Sequence, residues 1–290
     1  MNKFNSYSDY LHQKKPSELC HYTSYEALNN IVKQGGKLSF WVTEISYLND
    51  HQEFFHGFDF LKKAYEKLKK ENLENARVTR FLNTLSPFFI FSEGVGSSLI
   101  FSQNSGVFVL SFTHEKDLLS QWRAYTPNCH GVSISVEPNF RSSHSNNSLL
   151  YPVIYNDKFK SEYAEHILKL GIDKCVDFTE ANSFINQKVS SEVIMQMKAA
   201  CTLMKDSSFS EESEWRYVVY GEKHDNIYLR SSEYYLIPYV ELKIENECFK
   251  QIVIGPNPHS ELSKKSIELL LSKSGLQKVN VVKSTIPYRG

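Results

Sequence analysis

The sequence has little that would fasten it by covalent or metal cross-links. Its 290 residues hold five cysteines: Cys20, Cys129, Cys175, Cys201 and Cys248. The number is odd, the spacing wide, and no CxxC pair occurs, which argues against a disulfide framework or a structural zinc site. Reduced thiols in a cytoplasmic protein are the expectation. No linker rich in Gly, Pro or Ser and no internal repeat divides the chain. No window approaches the roughly 20 apolar residues of a membrane-spanning helix. The most apolar region, Phe88 to Phe101, is broken by Glu93, Gly94 and Gly96. The first residues run into a polar stretch without an apolar core, so no secretory signal is read there. Net charge is absent as well, because 33 Lys and Arg balance 33 Asp and Glu. Such a chain lacks the broad electrostatic footprint of a nucleic-acid binder and leaves room only for a local basic groove. The sequence thus predicts a cytoplasmic protein with no membrane partner.

What is present is an ordinary globular composition, 41% apolar and 23% charged, with an aromatic share of 13%. Some of those rings are available to stack on flat ligands. Residues 1–18 read as a polar leader or short helix. Strands are predicted over Leu19–Thr23, Leu38–Val42, Gly106–Thr113, Gly131–Glu137, Leu150–Tyr155, Trp215–Tyr220, Tyr239–Ile244, Phe249–Ile254 and Val279–Lys283. Helices are predicted over Tyr25–Gln34, behind an N-cap at Ser24 and stopped by Gly35-Gly36, and over His51–Asn72, Leu73–Leu85, Asp117–Tyr125, most of Lys158–Lys205, and Ser260–Ser274. The pattern predicts a single α+β domain over 19–290, with helical insertions near 51–86 and 158–205.

Five constellations could carry chemistry. On a strand, His21 and Thr23 share one face, and an imidazole beside a hydroxyl can grip a ribose or an amide without fixed charge. The plainer alternative is a hydrogen-bonded core histidine. Asp50 with Glu53 forms a capping box, and the spacing of His51, Glu53 and His56 fits no zinc motif. In Ser120-Gln121-Trp122-Arg123-Ala124-Tyr125, Arg123 and Tyr125 could clamp a phosphate and stack a base, or Trp122 could anchor the core with Arg123 at the surface. On an extended strand Glu212, Glu214 and Arg216 would share a face, with Trp215 turned into the core. Two carboxylates there suit an oxocarbenium-like sugar centre, while an ion-paired strand start is the alternative. In the tail, Gly255-Pro256 forces a turn and Arg289 could bind an anion.

In order, His21-Tyr22-Thr23-Ser24, Leu48-Asn49-Asp50, Ser120 to Tyr125 with the Gly131–Glu137 strand, Phe209-x-x-Glu212-x-Glu214-Trp215-Arg216, Ile252 to Pro256, and Ser284-x-Ile286-Pro287-Tyr288-Arg289 resemble the bacterial domain-of-unknown-function 2971 family. The resemblance runs over about 19–290 and leaves residues 1–18 outside. The opening His-Tyr-Thr, followed by a helix and a glycine turn, is also similar to ADP-ribosyltransferase-like folds of the His-Tyr-Glu type. That likeness implies a split, mixed β-sheet core with surrounding helices and a helical insertion. It implies NAD as substrate, held by His21 and Thr23 at the ribose and by Arg123 at the pyrophosphate. Tyr125 would stack on nicotinamide, with Tyr47 or Trp41 as alternatives. Glu214 would be the catalytic carboxylate and Glu212 its assistant or rival. The acceptor would be a protein or nucleic acid, and use as a toxin or anti-phage effector would imply an antitoxin or defence-system partner. Two other functions compete. One is a nucleotide- or signal-binding module without turnover; the other is a metal-dependent nuclease using Glu212, Glu214 and Asp50.

Overall fold

The structure, a computed structural model, describes residues 4–32, 37–48, 51–90, 106–141, 147–221 and 224–287. Ten strands among these residues join in one mixed sheet. They are β1 (Leu19–Thr23), β2 (Lys37–Glu44), β3 (Val107–Thr113), β4 (Val132–Val136), β5 (Ser148–Pro152), β6 (Glu214–Tyr220), β7 (Tyr228–Ser231), β8 (Leu236–Glu245), β9 (Phe249–Ile254) and β10 (Asn280–Lys283). The helices are α1 (Tyr7–Leu11), α2 (Tyr25–Val32), α3 (His51–Glu71), α4 (Ala76–Ile90), α5 (Leu119–Tyr125), α6 (Asp157–Lys174), α7 (Ser183–Cys201) and α8 (Ser260–Lys273). The α+β reading of the sequence is thus correct. No described helix is long and apolar enough to cross a membrane.

The strands run β10-β9-β4-β1-β3-β2-β8-β7, all antiparallel except the β9–β10 pair, with β6 and then β5 attached at β3. β3 is the junction. Its whole length pairs with β6, from Val107↔Tyr220 to Thr113↔Glu214. Its other edge is shared: Phe108 and Val109 pair with Glu44 and Thr43 of β2, and Thr113 pairs with Cys20 of β1. Between these points Leu110, Ser111 and Phe112 have a strand partner only on the β6 side. The sheet therefore forks, with β1 and β2 diverging from the two ends of one strand.

Alternation along β3 supplies both faces of the sheet. Val107 and Val109 join a core built with α3, α4, α6 and α7, in which Leu61, Phe81, Leu82, Leu168 and Met197 are buried. Phe108, Leu110 and Phe112 join the opposite core, with Leu28 and Ile31 of α2 and Ile267 and Leu271 of α8. The two predicted helical insertions, brought together as α3, α4, α6 and α7, form one layer on one face. Within residues 4–18, α1 packs onto that layer. Tyr10 donates its hydroxyl to the Val153 carbonyl at 2.7 Å, and Leu11 is buried with Ile154 and Phe159.

Several boundaries move for physical reasons. Helix α4 continues past the predicted Leu85, through Pro87. Pro87 cannot donate to the Asn83 carbonyl, and the Ser86 hydroxyl does so instead at 2.9 Å. Strand β7 was not predicted, and β8 begins earlier than expected. Ser24 caps α2 as expected, its Oγ accepting from the Ala27 N–H at 3.1 Å. Gly35-Gly36, Asn49, Asp50, Tyr288 and Arg289 lie outside the described residues, as do the side chains of His51, Glu53 and Cys129. His56 faces a lysine: the buried Lys160 ammonium donates to its Nε2 at 2.9 Å. Cys20, Cys175, Cys201 and Cys248 are free thiols.

Candidate functional site

A cleft of about 330 Å³ opens where β1 and β2 part. Its walls include His21 and Thr23 of β1, Asn30 of α2, Trp41 and Thr43 of β2, Ser111 of β3, Tyr125 of α5, Arg216 of β6 and Arg230 of β7. A smaller cavity of about 40 Å³ is bordered by His21, Ser111, Gln121, Tyr125, Glu212 and Glu214. His21, Ser111 and Tyr125 belong to both. The fork makes this meeting possible. Paired residues share a face of a sheet, so Cys20, Thr113 and Glu214 lie on one face and His21 on the other. In an unbroken sheet the His21 and Glu214 side chains would be kept apart. Here the gap beside Ser111 lets both border one space.

Ser111 joins the two sides. Its carbonyl oxygen lies 2.9 Å from His21 Nδ1. A carbonyl can only accept, so Nδ1 carries the proton and Nε2 is left as an acceptor. Burial lowers the His21 pKa, against the opposing pull of the Ser111 carbonyl, so the ring is neutral at pH 7. Phe40 and Phe112 hold it by edge-to-face contacts at 5.7 and 6.0 Å. The Ser111 side chain lies on the Glu214 side and helps to lower the Glu214 pKa.

Glu214 is only 4% exposed. Arg216 Nε donates to its Oε1 at 2.7 Å and Nη2 to its Oε2 at 2.9 Å, and Lys205 Nζ lies 3.3 Å from the same Oε2. Burial pushes the Glu214 carboxyl up, but Arg216, Lys205 and the Ser111 side chain together outweigh it and hold its pKa below the ordinary value. It is therefore a fixed negative charge and a poor proton acceptor at neutral pH. Lys205 also donates to Glu212 at 2.7 Å. The cluster balances two carboxylates against two cations, as a buried group of this kind must. Arg216 is anchored further through Nη1 to the Thr202 carbonyl at 2.6 Å.

The expected single strand face for Glu212, Glu214 and Arg216 is corrected in part. Glu214 and Arg216 do share a face of β6, and Trp215 is buried in the opposite core. Glu212 is not on the strand. It ends a 3-10 turn over Ser207–Glu212, and Ser213, with φ 46°, turns the chain into β6. Thr113 holds that turn by donating its hydroxyl to the Glu212 carbonyl at 2.7 Å. Glu212 reaches the cluster through Lys205, not through strand periodicity.

The remaining predicted residues divide. Thr23 and Tyr125 line the cleft, and Tyr125 is 41% exposed. The crowded surroundings of its hydroxyl and the Glu214 carboxylate raise the Tyr125 pKa. Trp41 lines the cleft, whereas Tyr47 packs against Tyr235 and is not among the lining residues. Arg123 is not brought to the cleft; it is exposed in a separate depression beside Glu211. Trp122 is the core anchor, its Nε1 donating to Asp117 at 2.8 Å. Asp117 also accepts from the Ser284 hydroxyl and the Thr285 N–H, at 2.6 and 2.8 Å, which ties the tail motif to α5. Among the described residues no group of three or more His, Cys, Asp or Glu is placed to hold a metal ion.

Ser111, Lys205 and Arg230 escaped the sequence reading, and Gln121 stood in the Ser120–Tyr125 motif without a role. Ser111 had a signal, as the one polar residue between Val107 and Phe112. Lys205 had none, since it follows α7 and meets Glu214 only through the fold.

A family model described as Protein of unknown function (DUF2971) matches residues 121–217. Over that segment the chain is similar to the DUF2971 family. The matched segment is narrower than the resemblance expected over 19–290. It runs from α5 to the middle of β6 and so contributes Tyr125, Lys205, Glu212, Glu214 and Arg216, whereas His21, Ser111 and Arg230 lie outside it. The site thus combines residues of the matched segment with residues from both flanks. Comparisons with curated proteins and with solved structures found no match.

Proposed function

We propose that the protein is an ADP-ribosyltransferase that cleaves the glycosidic bond of NAD, with the fork between β1 and β2 as its cleft. The observation that carries this reading is the meeting of a neutral His21 and an ionised Glu214 around one space. NAD would supply the ribose–nicotinamide bond that breaks. His21 Nε2 would accept a hydrogen bond from a ribose hydroxyl, with Thr23 beside it. Tyr125, half-exposed at the junction of the two cavities, would offer its ring to nicotinamide. Glu214 would place a preorganised negative charge beside the ribose as positive charge develops, in a site largely closed to water. Its low pKa suits that electrostatic role and not proton abstraction. Glu212, slightly more open, is the group nearer to solvent for activating an acceptor. An acceptor protein or nucleic acid completes the proposal.

One observation favours a second reading, a nucleotide- or signal-binding module without turnover. Glu214 is engaged by Arg216 and Lys205 at once, and a carboxylate so paired is also what a purely structural ion cluster requires.

Nicotinamide release from NAD separates the two. The transferase reading expects release, ADP-ribose adducts detectable by mass spectrometry, and a fall of about 100-fold or more in Glu214→Gln. NAD binding without release would leave only the binding module. Undiminished release by folded Glu214→Gln would remove Glu214 from its role. Growth arrest on expression in bacteria, relieved by the same substitution, tests the effector role.

A further inference from the structure

The cleft contains a second guanidinium that the proposed chemistry does not use. Arg230 lies on β7, at the far end of the sheet's β2–β8–β7 wing. Register carries it onto the same face as Ser111 and Glu214: Arg230 pairs with Ile237, Tyr239 with Thr43, and Thr43 with Val109. Its guanidinium carbon sits 5.6 Å from the centre of the Trp41 ring. One terminal nitrogen, Nη2, donates to Thr43 Oγ1 at 3.4 Å, a long bond.

Two features set this arginine apart from Arg216. It has no acidic partner among the described residues, whereas Arg216 is spent on Glu214. Its Nε–H is buried with no hydrogen-bond partner among the described residues. A buried donor left unmade is costly, and more so on a charged group. The arrangement is economical only if a ligand completes it. The Trp41 ring and the long bond to Thr43 hold the guanidinium at the cleft wall. A guanidinium with an unpaired Nε–H and no carboxylate partner, on the wall of a cleft, is suited to the oxygens of a phosphoryl group. Thr43 beside it, and Asn30 elsewhere on the cleft wall, are neutral donors and acceptors that suit an ester or hydroxyl.

We infer that Arg230, seated on Trp41 and steadied by Thr43, is the anion subsite of the cleft and takes the phosphoryl groups of a nucleotide ligand. This assignment deepens the nucleotide reading of the cleft and rests on it. It gives the phosphate-binding role, expected at Arg123 from sequence, to a residue on the unpredicted strand. Arg230 is a binding residue and takes no part in bond breaking.

The test is calorimetric titration of the full chain with inorganic pyrophosphate and with ADP. The wild type is expected to bind both. Arg230→Gln is expected to weaken both by about 10- to 100-fold, the range for a lost charge-assisted hydrogen bond. Arg230→Lys keeps the charge without the fork and is expected to fall between; it decides the matter if the glutamine variant melts early. Arg123→Gln is expected to bind as the wild type does. No binding of either probe by the wild type, or unchanged binding in Arg230→Gln and Arg230→Lys, overturns the subsite. A dicarboxylate such as malonate binding more tightly than pyrophosphate overturns the phosphoryl assignment. The outcomes also separate the two proposals. Pyrophosphate binding that depends on Arg230, without nicotinamide release from NAD, keeps the subsite and removes the transferase. Nicotinamide release with a KM for NAD unmoved in Arg230→Gln keeps the transferase and removes the subsite.

Discussion

The centre of the site is held by two residues whose pKa values are both lowered, one by burial and one by its cationic neighbours. His21 has its pKa lowered by burial, so its contribution to stability is complete above the ordinary histidine value of 6.5 and is lost as pH falls toward the folded value. Glu214 also titrates low, with Arg216 and Lys205 prevailing over burial. Its contribution is complete above 4.5 and is lost as pH falls through the folded value. The melting temperature should therefore decline in stages on acidification. His21→Asn is expected to flatten the limb just below pH 6.5, and Glu214→Gln the limb below 4.5. Each pKa unit of depression removed corresponds to about 1.4 kcal/mol. Thermal melts of the three proteins between pH 3 and 8 check this, and an unchanged limb in either variant contradicts the assignment. The residue types at this centre were readable in part. His21, Glu214 and the inward Trp215 follow from strand alternation. Lys205 does not, because its partnership with Glu214 depends on where the chain returns after a helix. Arg123 misled, because a basic residue between Trp122 and Tyr125 has the right chemistry but points out of the cleft.

Elements place these side chains, and the least legible element matters most. Strand β7 is four residues long, Tyr228-Leu229-Arg230-Ser231, largely exposed and at the rim of the sheet. It has neither an apolar run nor clean alternation, so nothing local marks it. By contrast β9 was predicted to the residue, because Phe249–Ile254 is apolar and closed by Gly255-Pro256. The β1–β4 pairing is similarly constrained, and Gly131 shows how tightly. A Cβ built there would lie 2.3 Å from the Thr23 carbonyl oxygen and 2.7 Å from Thr126 Cγ2. The end of β1 and the turn after α5 close on this glycine, and they carry Thr23 and Tyr125 to the cleft. Gly131→Ala is expected to cost about 1–3 kcal/mol by overpacking, read from urea unfolding, and to weaken ADP binding as well. Lost stability with unchanged ADP binding would show that the strain is absorbed away from the cleft.

At the scale of the molecule, composition and periodicity sufficed for the class of fold, an α+β body with two long helical insertions. They did not reveal the fork. A fork is a matter of which strands share an edge, and Cys20, Thr43 and Glu214 meet β3 from positions scattered across the chain. Nothing in VFVLSFT states that three strands will converge on it. That convergence has a consequence in time. Val109 and Thr113 have neighbours on both edges, and the cores on the two faces of the sheet both draw on β3. A β3 amide bonded on one edge cannot be exposed without parting that ladder, and freeing the strand means parting β6, β1 and β2 together. The rim strand β7 has one neighbour and can open alone. In deuterated buffer the hydrogen-bonded amides of β3 should be the last to exchange, at the rate of global unfolding, and those of β7 among the first. Local exchange along β3 at rates like those of β7 would mean that the junction is not the strand on which the molecule closes.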